Sequence, residues 1–209
     1  MRSLILLLLM VAVKASVKIS VYYETLCPDS IAFIKNQLFV NYIYFGPDYI
    51  DLELIPYGFA KETDSNGTKN FVCQHGVEEC YGNKVHGCVV SYGHIVTSLY
   101  FVHCSESSFL PTSQDTLQKC AQLGNIPWIN IQTCLDTKLA DQIMSKNGEK
   151  TRKLNPQFIP AVVFNNRFSQ TDQDDAIQNL KNVICRYLNY APRQCNGYAS
   201  NLYADVIVL

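Results

Sequence analysis

The 209-residue chain predicts an α/β fold carrying a helical, disulfide-rich insertion, and three stretches support that expectation. Near the start, Lys18 to Tyr23 is rich in β-branched and aromatic residues and reads as a buried strand; Ile31, Ile34, Leu38 and Tyr42 then recur at helical spacing. Near the end, Phe158 to Phe164 restores strand character, and an amphipathic helix opens at Asp172 and runs through Ala176, Leu180, Ile184 and Leu188. Between them, residues from about 73 to 155 place most of the cysteines on helical patterns.

Taken in order, Met1 to Ala15 reads as a secretory leader, with Arg2 as the positive end, an unbroken apolar run from Leu4 to Val13, and Val13-Lys-Ala15 as a small-residue cleavage site. The run is too short for a transmembrane helix. After the first strand and helix, Gly46-Pro-Asp48 marks a turn and Ile50 to Tyr57 a second strand. Residues 61 to 70 are expected to be a polar exposed loop, and Asn66-Gly-Thr68 within it is a glycosylation sequon. Val89, Tyr92, Ile95, Val96, Leu99, Tyr100 and Val102 form one apolar stripe at helical spacing. Ser113 is read as the cap of a short helix through Cys120, and Ile129 to Lys146 as a further helix. Asn165-Asn166 after the late strand is a hairpin signal, with Arg167-Phe168 as a short return. The expected organisation is a leader over 1–15, a first α/β half over 16–72, the insertion over 73–155, a second half over 156–189 and a tail over 190–209.

Composition sets bounds. With 48% hydrophobic and 17% charged residues the chain can bury a core, and a formal net charge of −1 gives no electrostatic reason to expect nucleic acid or an anionic membrane as partner. No later segment approaches membrane-spanning length, so no membrane span is expected. The leader puts the cysteines in an oxidising compartment, where pairing is the default.

Nine cysteines cannot all pair within one chain. Cys27 is the best placed to stay free. It lies between the first strand and a helix whose first residue is Pro28, a position where a missing N–H costs nothing. Backbone N–H groups and the positive end of a helix dipole favour a thiolate there, and the thiolate is the species that attacks disulfides. Strand, Cys-Pro-x-x, helix is how a thioredoxin-like redox site begins. The departure is Ser30, which stands where the second cysteine of such a site would be. Pro160 heads an apolar strand; a cis Ile159–Pro160 bond would aim the preceding backbone at the Cys27 loop, beside which an extended substrate chain could pair.

Cys73, Cys80, Cys88, Cys104, Cys120, Cys134, Cys185 and Cys195 remain as disulfide candidates, with connectivity open. Zinc is the competing use of the cluster, with His75, His86, His94 and His103 nearby. The spacing contains no Cys-x2-Cys pair and the compartment is oxidising, so no metal and no cofactor are expected.

Cys73-Gln-His-Gly76, Glu79-Cys80, Asn83 and Cys88 reproduce the pattern CQHGx2ECx2Nx4C, and in this the chain resembles the gamma-interferon-inducible lysosomal thiol reductase (GILT) family, in its invertebrate form. The resemblance extends from the first strand to the final helix and includes Cys120, Cys134, Asn155-Pro156 and Ile159-Pro160. It implies a thioredoxin-like fold with an inserted helical subdomain. It also implies reduction of protein disulfides at acidic pH, in lysosomes or after secretion, usually by a CxxC pair. Only the first cysteine of that pair carries over, as Cys27. A serine cannot resolve a mixed disulfide, so the expected activity uses Cys27 as a lone nucleophile on disulfide-containing proteins, with an external low-molecular-weight thiol or by isomerisation. The alternative is a secreted or lysosomal binding protein on the same scaffold. Oligomeric state is not legible.

Overall fold

The computed structural model describes residues 15–196, so the leader up to residue 14 and the tail from residue 197 lie outside the described residues. β1 (Val17–Tyr23) is the central strand of a three-stranded sheet. It pairs in parallel with β2 (Ile50–Pro56) and antiparallel with β5 (Ala161–Phe164), giving the order β2-β1-β5. Val17, Ile19, Val21 and Tyr23 are fully buried, and Val21 stands between Leu54 and Val162 in register. One face of this central strand is fully buried and apolar, while on the other Ser20 is buried and Lys18 and Tyr22 are partly exposed.

After β1, helix α1 (Pro28–Phe33), a π-helical turn (Ile34–Leu38) and α2 (Phe39–Phe45) run on with helical backbone at both junctions. Gly46, at φ 77°, ends them in a conformation that side chains rarely adopt. α3 (Val77–Tyr92) and α7 (Lys138–Leu154) pack on β2, while α8 (Gln170–Tyr187) packs on β5 and on the π-helical turn. Between α3 and α7 lie α4 (Ile95–Glu106), α5 (Gln114–Leu123) and α6 (Trp128–Leu135). A parallel β-α-β unit followed by an antiparallel strand and a helix is a thioredoxin-like α/β fold, and α3 to α7 are its helical insertion.

Four disulfides fasten the helices. Cys73–Cys80 closes the entry to α3, Cys88–Cys134 joins α3 to α6, and Cys104–Cys120 joins α4 to α5. Cys185–Cys195 ties α8 to α9 (Arg193–Asn196), so the described start of the tail is fixed to the body.

Several local expectations change. Residues 61 to 72 form a hairpin, β3 (Lys61–Ser65) and β4 (Thr68–Val72), where a loop was expected; Asn66 (φ 52°) and Gly67 (φ 79°) make its two-residue turn. Its strands are mostly polar, so no alternation advertises them, and the Asn-Gly pair serves both as hairpin turn and as part of the sequon. Asn66 is exposed. The stripe from Val89 to Val102 breaks at Gly93, where His94 caps α4 by accepting from Val96 N–H. The expected helix from Ile129 to Lys146 also divides, because the Thr137 hydroxyl caps a new helix by accepting from Leu139 N–H. β5 begins only at Ala161, after Pro160, and Ser169 caps α8 ahead of Asp172. Asn165 (φ 47°) and Asn166 (φ 61°) form the predicted turn, and the return strand amounts to one Phe164–Arg167 bridge.

At the junction of sheet and insertion lies a buried polar chain. Ser105 Oγ–H donates to Val102 O, so His86 Nε2–H donates to Ser105 Oγ and His86 Nδ1 accepts the Tyr23 O–H, at 2.9 and 3.1 Å. Burial pushes the His86 imidazole down from 6.5 to about 3, and pushes the nearby Glu106 carboxyl well up. The unfolded chain binds a proton at His86 as pH falls through 6.5, whereas the folded chain resists until about 3, so this residue costs stability on acidification through that window. Wild type should exceed His86→Gln in stability at neutral pH, and the gap should narrow toward pH 4.5 by at most ~1.4 kcal/mol per pH unit. Urea unfolding of both chains across that range reads the gap; a gap independent of pH contradicts a buried neutral imidazole.

Candidate active site

β1 ends at Tyr23, and Glu24-Thr25-Leu26 crosses to Cys27, which is the N-cap of α1 in an extended conformation with Pro28 at the first helical position. The Cys27 carbonyl accepts the Ile31 N–H at 3.0 Å, so the helix begins at once. Cys27 is 8% exposed and is the one free cysteine among the described residues. Its thiol donates to the Ile159 carbonyl at 3.6 Å across 132 residues of sequence. The Ile159–Pro160 peptide is cis.

Ser30 is fully buried, and its hydroxyl accepts the Glu24 N–H at 3.3 Å. The residue in the second-cysteine position therefore bonds to the backbone of the loop that leads to Cys27. On the far side, Gln173 grips the opposing segment: its Oε1 accepts the Val162 N–H at 2.7 Å and its Nε2 donates to the Pro160 carbonyl at 3.0 Å. Beside these residues, a groove of about 690 Å³ runs between α1 and α8. Phe33, Phe158, Ile159, Pro160 and Ile177 give it apolar walls, and Asp29 and Asp174 sit on it as acidic residues. Gln37, also on the groove, fills a break in α8 at Asn179, which has non-helical φ/ψ. It donates to Gln178 O and accepts from Leu180 N–H.

The Cys-Gln-His-Gly signature meets the same loop from α3. Asn83 Oδ1 accepts the Thr25 N–H at 3.1 Å, and the Thr25 hydroxyl donates to the Glu79 carbonyl at 3.2 Å. Glu79 Oε1 accepts the His75 N–H, and its Oε2 lies 2.5 Å from His75 Nδ1. Glu24 is fully buried, and its Oε1 accepts the Phe59 N–H at 2.6 Å. Burial raises the Glu24 carboxyl to about 7; the Phe59 N–H opposes the rise, Glu79 adds to it and His75 opposes it. A side chain at Gly58 would meet Glu24, because a Cβ there would lie 2.1 Å from its Cγ.

Cys27, Ser30 and Pro160 thus lie at one end of the sheet, Cys73–Cys80 closes the α3 entry that meets their loop, and Asn66 lies at the β3–β4 turn. Glu24, Gln37 and Gln173 were not read from the sequence as site residues, while His75, Glu79 and Asn83 stood there as positions of the family pattern without their contacts. Glu24 had a signal, a charged residue at the end of an otherwise apolar run. Gln173 had another, standing three residues before Ala176 on the buried stripe of α8.

Fold and site together define a thioredoxin-fold protein with a cysteine at a helix mouth facing an X-Pro segment. The chain belongs to the gamma interferon inducible lysosomal thiol reductase (GILT) family, whose model matches residues 18–123. It is similar to GILT-like protein 1 of Drosophila melanogaster, at 34% identity over 202 residues covering 88% of this chain and 80% of that one. It is similar also to the gamma-interferon-inducible lysosomal thiol reductase of Carassius auratus, at 31% identity over 183 residues covering 86% and 72%. Among solved structures, ScsC of Proteus mirabilis in a transitional conformation has a TM-score of 0.59 at 15% identity, covering 85% of this chain and 70% of that one. A thioredoxin-like oxidoreductase of Silicibacter pomeroyi has a TM-score of 0.53 at 11% identity, covering 79% and 86%. Those two likenesses support the fold.

Gln173→Leu keeps bulk but leaves a buried N–H and a buried carbonyl unpaired, each costing about 1–3 kcal/mol. Unfolding free energy should fall by about 2–6 kcal/mol in urea titrations. A loss under about 0.5 kcal/mol contradicts the gripping role.

Proposed function

We propose that the protein is a thiol–disulfide oxidoreductase that acts on protein disulfides through Cys27 alone. The observation that carries this reading is a single free cysteine at a helix N-terminus, in contact with the Ile159–Pro160 backbone, in a chain whose other cysteines are paired. The Cys27 thiolate attacks one sulfur of a substrate disulfide. That S–S bond breaks, a Cys27–substrate disulfide forms, and the other substrate sulfur leaves as a thiolate and takes a proton from water. An external small thiol then attacks at Cys27, which frees the second substrate thiol and leaves Cys27 bonded to the small thiol. A second small thiol restores Cys27. The net result is one substrate disulfide reduced and two small thiols joined as a disulfide. When a different thiol of the substrate attacks the mixed disulfide instead, a new substrate disulfide forms, Cys27 is released as a thiolate, and the outcome is isomerisation. Pro160 positions an extended substrate chain, and the groove beside it accepts the flanking apolar residues.

The setting is the secretory pathway, in lysosomes or outside the cell, with a leader removed near residue 15 and glycan on Asn66. Four disulfides fit an oxidising compartment, and Asn66 is exposed at a hairpin turn. Among the described residues no helix is long and apolar enough to cross a membrane.

Ser30→Cys supplies a resolving thiol three residues after the nucleophile, on the same helix face. Turnover of a protein disulfide should rise on the order of tenfold or more, since an intramolecular step replaces a bimolecular one. Cys27→Ser should abolish it, and wild type should collect mixed disulfides when the external thiol is scarce. A folded, inactive Ser30→Cys protein, together with a wild type that forms no adducts, assigns the scaffold to binding without turnover.

A further inference from the structure

Glu24 carries an unusual carboxyl oxygen. Oε1 is bonded to the Phe59 N–H, but Oε2 is buried and has no hydrogen-bond partner. The nearest cationic group is His75 Nδ1 at 3.7 Å, beyond hydrogen-bonding reach and already in contact with Glu79 Oε2. The Glu24 and Glu79 side chains are both 0% exposed, and burying two carboxylates beside one imidazole is costly unless the charge is matched. One carboxylate oxygen each of Glu24 and Glu79 and one ring nitrogen of His75 all lie within 4.8 Å of one another.

We propose that Glu24, His75 and Glu79 form a Zn²⁺-binding site that ties the end of β1 to the entry of α3. Two carboxylates and a neutral imidazole balance the charge of a divalent ion. One imidazole with two carboxylates is a donor set suited to zinc, whereas calcium takes six or more oxygens and magnesium a near-octahedral shell with several waters. At metal–ligand bonds of about 2.1 Å, tetrahedral donors stand about 3.4 Å apart. The 3.7 Å separation of Glu24 and His75 is already close to that. The 2.5 Å contact of His75 and Glu79 opens by about 0.9 Å when the ion replaces the proton between them. The His75 side chain is 34% exposed, which gives the ion its entry and leaves a fourth position for water. Cys27 is not one of the ligands, so the site does not depend on thiol turnover.

The test uses the full secreted chain in a Cys27→Ser background, which removes the free thiol as a competing zinc ligand. Equilibrium dialysis against Zn²⁺ near neutral pH should give about one ion per chain, and thermal unfolding should shift upward with added Zn²⁺. His75→Ala and Glu24→Gln should each weaken binding by at least about tenfold. Glu24→Gln keeps the amide oxygen for Phe59 N–H; if it fails to fold, His75→Ala decides, since that side chain is partly exposed. Absence of Zn²⁺ binding by the Cys27→Ser chain overturns the proposal. Equal binding by His75→Ala overturns it as well.

Discussion

Two residues ahead of Cys27, Thr25 commits both its N–H and its hydroxyl to α3, on Asn83 and on the Glu79 carbonyl. That pair of bonds sets where the loop between β1 and α1 lies, and the position of the sulfur follows from it. A loop of three residues between a buried strand and a helix has little slack. Fixing its middle residue therefore fixes the cap. Gly82 permits the approach: a Cβ there would stand 2.5 Å from the Thr25 hydroxyl oxygen. The signature residues of α3 therefore act as a wall for the thiol loop, which gives the spacing of Glu79, Gly82 and Asn83 along one helix face a physical reason.

The wall is only as firm as α3, and the disulfides bear on that. In the chain-entropy account, Cys88–Cys134, with a sequence separation of 46, restricts the unfolded chain by ~4 kcal/mol, and Cys73–Cys80, with a separation of 7, by ~2.4 kcal/mol. Both crosslinks end on α3. The opposing side of the site is held without covalent bonds, by Gln173 between Pro160 O and Val162 N–H and by Gln37 at the break in α8. The thiol is thus flanked by a stapled element on one side and a hydrogen-bonded, kinked helix on the other. The groove lies on the less constrained side, where an incoming chain has room to be accommodated.

Much of this was legible from local pattern. A run of β-branched and aromatic residues, a Pro at the first helical position and a returning apolar strand are enough to place β1, α1, β5 and α8, because each signal acts within a few residues. The break at Thr137 was hidden because the apolar periodicity continues across it and only a capping hydroxyl marks the new start, whereas the break at Gly93 had a signal, a glycine inside the stripe, that the periodicity outweighed. The hairpin of residues 61 to 72 was hidden by its mostly polar strands. The polar contacts of the site were hidden for a different reason. Glu24 meets residues 59, 75 and 79, and Gln37 meets residues 178 and 180, so their partners exist only once the fold has formed. The CQHG signature marked a family before it revealed a contact.

The proposed chemistry turns on Cys27 being the thiol that the fold leaves unpaired. The most direct measurement is alkylation of the secreted protein under denaturing conditions without reductant, followed by peptide mapping. The label should fall on the Cys27 peptide, with the other eight cysteines recovered as Cys73–Cys80, Cys88–Cys134, Cys104–Cys120 and Cys185–Cys195. Recovery of Cys27 in an internal disulfide, with another cysteine labelled in its place, would contradict it.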